Sequence, residues 1–239
     1  MGIGPGPVAE MSPRAQRAIE ACDIIIGYNT YVKFIGGLVE GKQVVPFGMG
    51  QELARARRAI EEALSGKRVA LISSGDPGIY GMAGPVLEVL RRDGIVLDLE
   101  IVPGIPALSS CNASLGAPLM NDFAVISLSD LLTSPEVIME RLEAAARGDF
   151  VVVLYNPRST KRSRLLREAR RVLLKYRSPR TWVGIVKNAG REGEEVFIAD
   201  LASLPEAEID MQTTVIVGNS STLVLEGRMV TPRGYGDDK

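Results

Sequence analysis

Short apolar runs alternate with amphipathic helical segments along the first half of this 239-residue chain. Strands are predicted at 24–26, 44–45, 69–73 and 97–102, with helices between them. Such alternation predicts right-handed crossovers and a mostly parallel sheet that helices cover on both faces. Because ligands of such sheets bind outside the carboxyl ends of the strands, the turns that follow the strands are the places to look for function.

The second half continues the α/β pattern with a different strand arrangement. Strands are predicted at 123–128, 150–155, 183–187, 195–199 and 214–217. Only a short helical piece separates the last two, which indicates an antiparallel portion and therefore a mixed sheet. Gly116, Ala117 and Pro118 interrupt the pattern, so we predict two domains, residues 1–117 and 118–239.

Composition excludes several kinds of function. Lys and Arg number 28 against 29 Asp and Glu, so no net charge favours nucleic acid or an anionic membrane. Histidine is absent, which removes Ser-His-Asp and Cys-His catalysis and most transition-metal ligand sets. Cys22 and Cys111 are isolated in apolar runs, so we expect buried free thiols and no metal site. No apolar run approaches the roughly 20 residues that span a bilayer, and no signal-peptide pattern is present, which favours a cytoplasmic protein.

Three turns are rich in glycine and proline: GIGPG at 2–6, SSGDPGIYG at 73–81 and VPGIPA at 102–107. Glycine lets a ligand approach the backbone closely and leaves amide donors free. The first turn fails the GxGxxG dinucleotide pattern because Pro7 stands where glycine is required. The second opens a helix whose first amides favour a carboxylate, although an ordinary Asp-Pro-Gly turn is the alternative.

Taken in this order, GIGPG, SSGDPGIYGMAG and VPGIPA resemble the tetrapyrrole methylases, S-adenosylmethionine enzymes of cobalamin and sirohaem synthesis. Segments of the second half are similar to the branch that methylates C-17 of a corrin precursor, either precorrin-3B or cobalt-factor III. Those segments are GAPLMNDFAVISLSDLLTSPEVI, DFVVVLYNPRS, VGIVKNAGREGE, TTVIVGNSST and GRMVTPRGY. The resemblance covers nearly the whole chain.

The resemblance implies a homodimer whose protomer has two α/β domains. It implies a mostly parallel N-terminal sheet, a mixed C-terminal sheet and a cofactor cleft between them. The implied reaction is methylation of C-17 with contraction of the macrocycle, and it leaves S-adenosylhomocysteine. The residues implied to contact S-adenosylmethionine are Pro5, Gly75, Asp76, Ile79, Pro106 and Ala107 in the first half, and Tyr155, Asn156, Asn188, Ala189 and Thr214 in the second.

The cofactor already carries an electrophilic methyl group, so the protein chiefly has to align the acceptor carbon and exclude water. Ring contraction adds proton transfers, for which Asp76, Asp122 and Tyr155 are the catalytic candidates by their position at strand ends. Each has a structural alternative, respectively a turn former, a cap and a packed aromatic.

Because the substrate of this branch carries carboxylates around its rim, we expect the protein to bind it with a local basic patch. The candidates follow the LYNP strand end: Arg158, Lys161 and Arg162. The basic helix beyond them is more simply a solvated helix face.

Three departures from the family pattern bear on these expectations. Only Met1 precedes Gly2 where the family usually has a full strand, so we expect a truncated start and a weakened first sheet. Pro106 stands where Ser or Thr is common, so a hydroxyl contact to the cofactor is lost. Asn121 replaces the usual histidine before Asp122, which leaves an acid-base role there open.

Other functions stay open at this point. One is another corrin-ring methylase, acting at C-11 or C-20. A second is an RNA or protein methylase of the same fold, which the balanced charge disfavours. A third is a cofactor-binding or carrier protein without turnover. The sequence does not distinguish a metal-free substrate from a cobalt-containing one.

Overall fold

The chain divides into two compact units, Met1–Ala107 and Leu108–Lys239. The computed structural model describes residues 1–158 and 164–235. The first unit contains a parallel sheet and the second a mixed one, and helices accompany both. The predicted α/β class is therefore confirmed, including the difference between the two sheets.

Three parallel strands form the sheet of the first unit: β1 (Ile24–Tyr28), β2 (Gln43–Phe47) and β3 (Val69–Leu71). Their order is β2-β1-β3, with Ile24 paired to Gln43 on one side and to Val69 on the other. The helices are α1 (Pro13–Ala21), α2 (Asn29–Phe34), α3 (Glu52–Leu64) and α4 (Ala83–Asp93), with 3-10 turns at Val8–Glu10 and Gly36–Val39. Ile24, Ile25 and Ile26 are fully buried, as expected of a central strand covered on both faces.

Local sequence signals set the ends of these helices. The Ser12 hydroxyl accepts a hydrogen bond from the Ala15 amide at 3.1 Å, and Pro13 occupies the first position of α1. Beyond the end of α3, Gly66 adopts a φ of 91° that other residues rarely take. Ser at the N-cap, Pro at the first position and Gly beyond the last turn are the residue types that commonly begin and end helices.

The predicted strand at 97–102 is wrong, because residues 95–106 belong to neither a helix nor a strand. Leu99 and Ile101 are 43% and 46% exposed, whereas Val102 is 2% exposed. One sheet-like bond remains, from the Gly2 amide to the Val102 carbonyl at 2.9 Å. An apolar run becomes a strand only where a neighbouring strand pairs along it.

The first residues of the chain lie beside the turn that follows β3. The Ile3 amide donates to the Ser73 carbonyl and the Ser73 amide to the Met1 carbonyl, both at 2.9 Å. Gly4 forms an antiparallel bridge with Gly75, and Ile3 is fully buried. These bonds anchor the glycine-rich turn at 2–6 to the turn at 73–81.

The described residues of the second unit form eight strands and three helices. The strands are β4 (Gly116–Ala117), β5 (Phe123–Ser127), β6 (Val151–Tyr155), β7 (Trp182–Lys187), β8 (Glu195–Asp200), β9 (Thr213–Val217), β10 (Leu223–Leu225) and β11 (Arg228–Val230). The helices are α5 (Ala107–Leu115), α6 (Pro135–Arg147) and α7 (Arg164–Leu173), with a 3-10 turn at Glu206–Glu208. Five strands form a mixed sheet of order β5-β6-β9-β7-β8, and the other three form a small sheet of order β10-β11-β4.

Alternation along the strands gives the five-stranded sheet two apolar faces. On one face Val152 packs with Leu142 of α6 and Leu166 of α7. On the other face Val153 packs with Cys111 of α5. The residues named are at most 1% exposed, so both faces are closed.

The division between the units falls before the boundary predicted at 117/118. The helix α5 belongs with the second unit because its residues Cys111 and Leu115 pack on that sheet. Gly116 and Ala117 pair with β11 in parallel register. Gly116 and Ala117 are therefore part of a sheet.

Candidate active site

The three glycine-rich turns of the first unit meet at Gly2, Gly75 and Gly104. A Cβ atom at Gly2 would lie 2.4 Å from the Gly75 carbonyl oxygen and 2.7 Å from the Gly104 nitrogen. A Cβ at Gly104 would lie 2.2 Å from the same carbonyl oxygen. Ordinary contacts start near 3.4 Å, so only glycine fits at Gly2 and Gly104. At these three glycines the turns pack backbone against backbone.

Asp76 holds two of these turns together. One carboxylate oxygen accepts a hydrogen bond from the Gly78 amide at 2.8 Å, and the other accepts from the Gly104 amide at 3.1 Å. The side chain therefore forms the turn at 73–81 and ties it to the turn at 102–107. As a catalytic candidate Asp76 stays a prediction, and the structure gives it the turn-forming role as well.

The residues of the first unit implied to contact the cofactor lie on these turns. Pro5 follows Gly4, which bridges Gly75. A Cβ at Gly75 would lie 3.6 Å from the Pro106 Cα and the Ala107 nitrogen. The Ile79 amide donates to the Asp76 carbonyl at 3.4 Å. The structure thus brings Pro5, Gly75, Asp76, Ile79, Pro106 and Ala107 into one region of the first unit.

The implied residues of the second unit share one edge of the mixed sheet. Tyr155 and Asn156 stand at the carboxyl end of β6, and Asn188 and Ala189 follow β7. Thr214 lies near the start of β9, which runs antiparallel to both strands and so begins at the same edge. The register Val186↔Thr214 places it beside the end of β7.

Thr214 is 6% exposed and lies near Cys111 of α5. Burial raises the pKa of the Cys111 thiol to about 11, although the neighbouring Thr214 side chain acts in the opposite direction. Cys111 is therefore an un-ionised, packed thiol at neutral pH, as the sequence predicts for a structural cysteine.

Three residues of the candidate site other than glycine have left-handed backbone conformations. Tyr80, Asn156 and Asn188 have φ values of 53°, 50° and 52°, which are uncommon outside glycine. Tyr80 lies in the turn at 73–81, and the two asparagines follow β6 and β7 directly. Such strain persists where the surroundings hold it and is concentrated at ligand sites.

Ser127, at the end of β5, is a site residue that the sequence analysis did not single out. Its hydroxyl oxygen accepts from the Asn156 side-chain amide at 2.9 Å and from the Ser129 amide at 3.2 Å. The only signal in the sequence is a serine at a strand end. This bond orients the Asn156 side chain.

Asp122 lies at the opposite edge of the sheet from Tyr155. It precedes β5, and its carbonyl accepts from the Val151 amide at 3.0 Å, whereas Ser127 and Tyr155 pair at the far end of β5 and β6. A cavity of about 350 Å³ opens there, and it is lined by Leu119, Met120, Asn121, Asp122, Phe123, Phe150 and Arg233. The structure does not bring Asp122 together with Tyr155.

Asn121, which directly precedes Asp122, makes hydrogen bonds with backbone groups. Its amide nitrogen donates to the Pro232 carbonyl at 3.4 Å, and its oxygen accepts from the Asp122 amide at 2.8 Å. Both bonds link the start of β5 to neighbouring backbone segments of the same protein. They give Asn121 a local structural role.

Of the predicted basic patch, Arg158 alone lies within the described residues. It is half-buried and donates to the Glu206 carbonyl, so part of its guanidinium holds the 3-10 turn. Lys161 and Arg162 lie outside the described residues. A role of Arg158 toward substrate carboxylates stays a prediction.

Neither a metal cluster nor a membrane-spanning helix is found in 1–158 and 164–235. No group of three or more His, Cys, Asp or Glu in that part of the chain is placed to hold a metal ion. None of its helices is long and apolar enough to cross a bilayer.

A parallel sheet with converging glycine-rich turns at its carboxyl edge is typical of α/β proteins that bind a small ligand at that edge. The particular family follows from a match between residues 1–205 and the family model described as Tetrapyrrole (Corrin/Porphyrin) Methylases. The chain belongs to this family of methyltransferases. The resemblance to the tetrapyrrole methylases that the sequence motifs indicated is confirmed.

Relatives and solved structures agree with this assignment. A Priestia megaterium protein named cobalt-factor III methyltransferase is 52% identical over 98% of this chain, which spans 44% of that protein. A Salmonella typhimurium protein named "Probable cobalt-factor III C(17)-methyltransferase" is 46% identical over 98% of both chains. The crystal structure of the methyltransferase CobJ matches with a TM-score of 0.92 and 34% identity over 97% of both chains.

A more distant match shows the fold alone. The Thermus thermophilus uroporphyrin-III C-methyltransferase, solved with S-adenosylhomocysteine, has a TM-score of 0.70 and 22% identity, and covers 91% of this chain and 95% of that one.

Proposed function

We propose that this protein methylates C-17 of a corrin precursor in cobalamin biosynthesis, using S-adenosylmethionine, with contraction of the macrocycle. The observation that carries the proposal is the match over 98% of both chains to the Salmonella protein named for C-17 methylation of cobalt-factor III. Similarity to CobJ over 97% of both chains supports the same branch of the family. The names of the relatives favour cobalt-factor III as the substrate, and precorrin-3B is the metal-free alternative.

The turns of the first unit fit a cofactor held by backbone groups. Gly2 and Gly104 leave no room for a Cβ, so the turns meet there through backbone groups. Pro5, Gly75, Asp76, Ile79, Pro106 and Ala107 would hold S-adenosylmethionine there, and Tyr155, Asn156, Asn188, Ala189 and Thr214 are proposed as contacts from the second unit. The cofactor supplies an electrophilic methyl group on sulfonium.

The residues of the chain would act mainly by positioning. Asp76 fixes the relative placement of two turns through its bonds with Gly78 and Gly104. Ser127 orients the side chain of Asn156. Alignment of this kind can supply much of the rate of a transfer that needs no activated nucleophile from the protein. Because the chain lacks histidine, no imidazole of the protein is available for a proton transfer.

The same proposal includes a cytoplasmic homodimer that acts on a soluble corrinoid and does not act on nucleic acid. The near balance of 28 basic and 29 acidic residues supports the absence of a nucleic-acid partner. Light scattering of the purified protein would test the dimer, since a monomer at assay concentration would contradict it.

The test is anaerobic incubation with S-adenosylmethionine and, separately, cobalt-factor III and precorrin-3B. We expect one substrate to gain a single methyl group by mass spectrometry, with a change in its visible spectrum. Calorimetry with S-adenosylhomocysteine runs in parallel. Binding without methylation of either substrate would favour the cofactor-binding or carrier protein and contradict the proposed reaction.

A further inference from the structure

Tyr155 receives hydrogen bonds from two other segments of the second unit. Its carbonyl accepts from the Leu128 amide at 2.8 Å, and its hydroxyl oxygen accepts from the Leu108 amide at 2.9 Å. Leu128 follows β5 directly, and Leu108 is the second residue of α5. This one residue joins the carboxyl ends of β5 and β6 to the start of α5.

The bond to Leu108 replaces a local cap. The first amides of a helix have no acceptor inside the helix, and a Ser, Thr, Asp or Asn just before it commonly supplies one. Ser12 and Ser134 do this for α1 and α6. Pro106 precedes α5 and has no side-chain acceptor. The acceptor comes instead from Tyr155, 47 residues away in the sequence.

Packing fixes the direction of the hydroxyl. The Tyr155 ring lies half-buried against the cluster that contains Cys111, Leu115 and Val153, and its side chain is on the face of the sheet that α5 covers. A tyrosine has only two side-chain torsions to order, so a packed ring holds its oxygen in place at small entropic cost.

We propose that Tyr155 is a positioning residue, whose hydroxyl fixes the start of α5 and with it the adjoining Pro106 and Ala107, and that it is not the acid or base of the reaction. The inference rests on the proposed function, because the placement of Pro106 and Ala107 affects activity only if they contact S-adenosylmethionine. It assigns to Tyr155 the capping role that Pro106 cannot fill.

Tyr155→Phe removes the oxygen and keeps the ring. We expect the dissociation constant for S-adenosylhomocysteine to rise about tenfold, because the Leu108 amide loses its acceptor. KM for S-adenosylmethionine should rise in parallel, and the pH dependence of kcat should not change. Tyr176→Phe is the matched control, since the Tyr176 hydroxyl is also hydrogen-bonded, here donating to Glu143, and its loss should leave cofactor affinity unchanged.

Tyr155→3-fluorotyrosine separates positioning from acid-base chemistry, because it acidifies the phenol but keeps the oxygen. Wild-type affinity and an unshifted pH profile of kcat support the inference, whereas a shifted profile overturns it. Equal affinity of Tyr155→Phe and wild type for S-adenosylhomocysteine also overturns it. If the wild type itself does not bind S-adenosylhomocysteine, the proposed function is contradicted, and so is the inference that depends on it.

Discussion

Gly104→Ala tests whether the packed turns of the first unit set both stability and cofactor binding. The new Cβ would lie 2.2 Å from the Gly75 carbonyl oxygen and 2.9 Å from the Gly2 backbone. Because these neighbours are backbone atoms, no side chain can rotate away, and one turn has to move by about 1 Å to restore an ordinary contact. Overpacking in well-packed regions costs about 1–3 kcal/mol, and we expect the upper end of that range here.

A cost of about 3 kcal/mol corresponds to a fall of roughly 6–12 °C in Tm for a domain of this size. Displaced turns should also weaken S-adenosylhomocysteine binding at least tenfold by calorimetry. Gly84→Ala is the matched control: a Cβ there meets nothing within 4 Å, and the residue lies in α4, where alanine is favoured. A Gly104→Ala protein with wild-type Tm and affinity would refute the reasoning.

Two further predictions concern carboxylates. Asp76→Ala removes both acceptors that tie the turns, so we expect the free energy of unfolding to fall by about 1–3 kcal/mol and S-adenosylhomocysteine to bind more weakly. Asp76→Asn should be intermediate because it keeps one acceptor. Wild-type stability and affinity in both variants would contradict the role of Asp76 in joining the turns. Hydrogen bonds from Arg68 lower the pKa of Asp23 from 3.8 to about 2, so this side chain stabilises the fold above about pH 4 and the stabilisation is lost as the pH falls toward 2. The difference in Tm between wild type and Asp23→Asn should therefore be constant near neutral pH and close under acid, and a pH-independent difference would contradict it.

The parts of the fold that depend on local pattern were predictable from the sequence. The buried run at 24–26, the capped start of α1 at Ser12 and the mixed second sheet all follow from periodicity and turn residues. The unpaired run at 97–102 could not be distinguished from a strand, because pairing depends on what lies beside it.

The hairpin of β10 and β11 was missed for a different reason. Its strands have three residues each, too short to show alternation. The turn between them uses Glu226 and Gly227 with φ values of 49° and 77°, the left-handed pair of a two-residue hairpin, without the usual Asn-Gly signal.

The turns of the candidate site were predictable, but their contacts were not. Glycine spacing indicated three ligand turns, and the structure places them against one another at Gly2, Gly75 and Gly104. Position at strand ends made both Asp122 and Tyr155 catalytic candidates, yet the register puts them at opposite edges of the sheet. Only the direction of each strand decides which of its ends faces the site.

The central claim is methyl transfer to C-17, and the most direct measurement is the position of a labelled methyl group. The protein would be incubated anaerobically with S-adenosylmethionine carrying ¹³C in its methyl group and with cobalt-factor III or precorrin-3B, and the product examined by NMR. We predict one new labelled methyl signal, on C-17 of a ring-contracted product. A signal on C-11 or C-20, or none from either substrate, would contradict the proposed function.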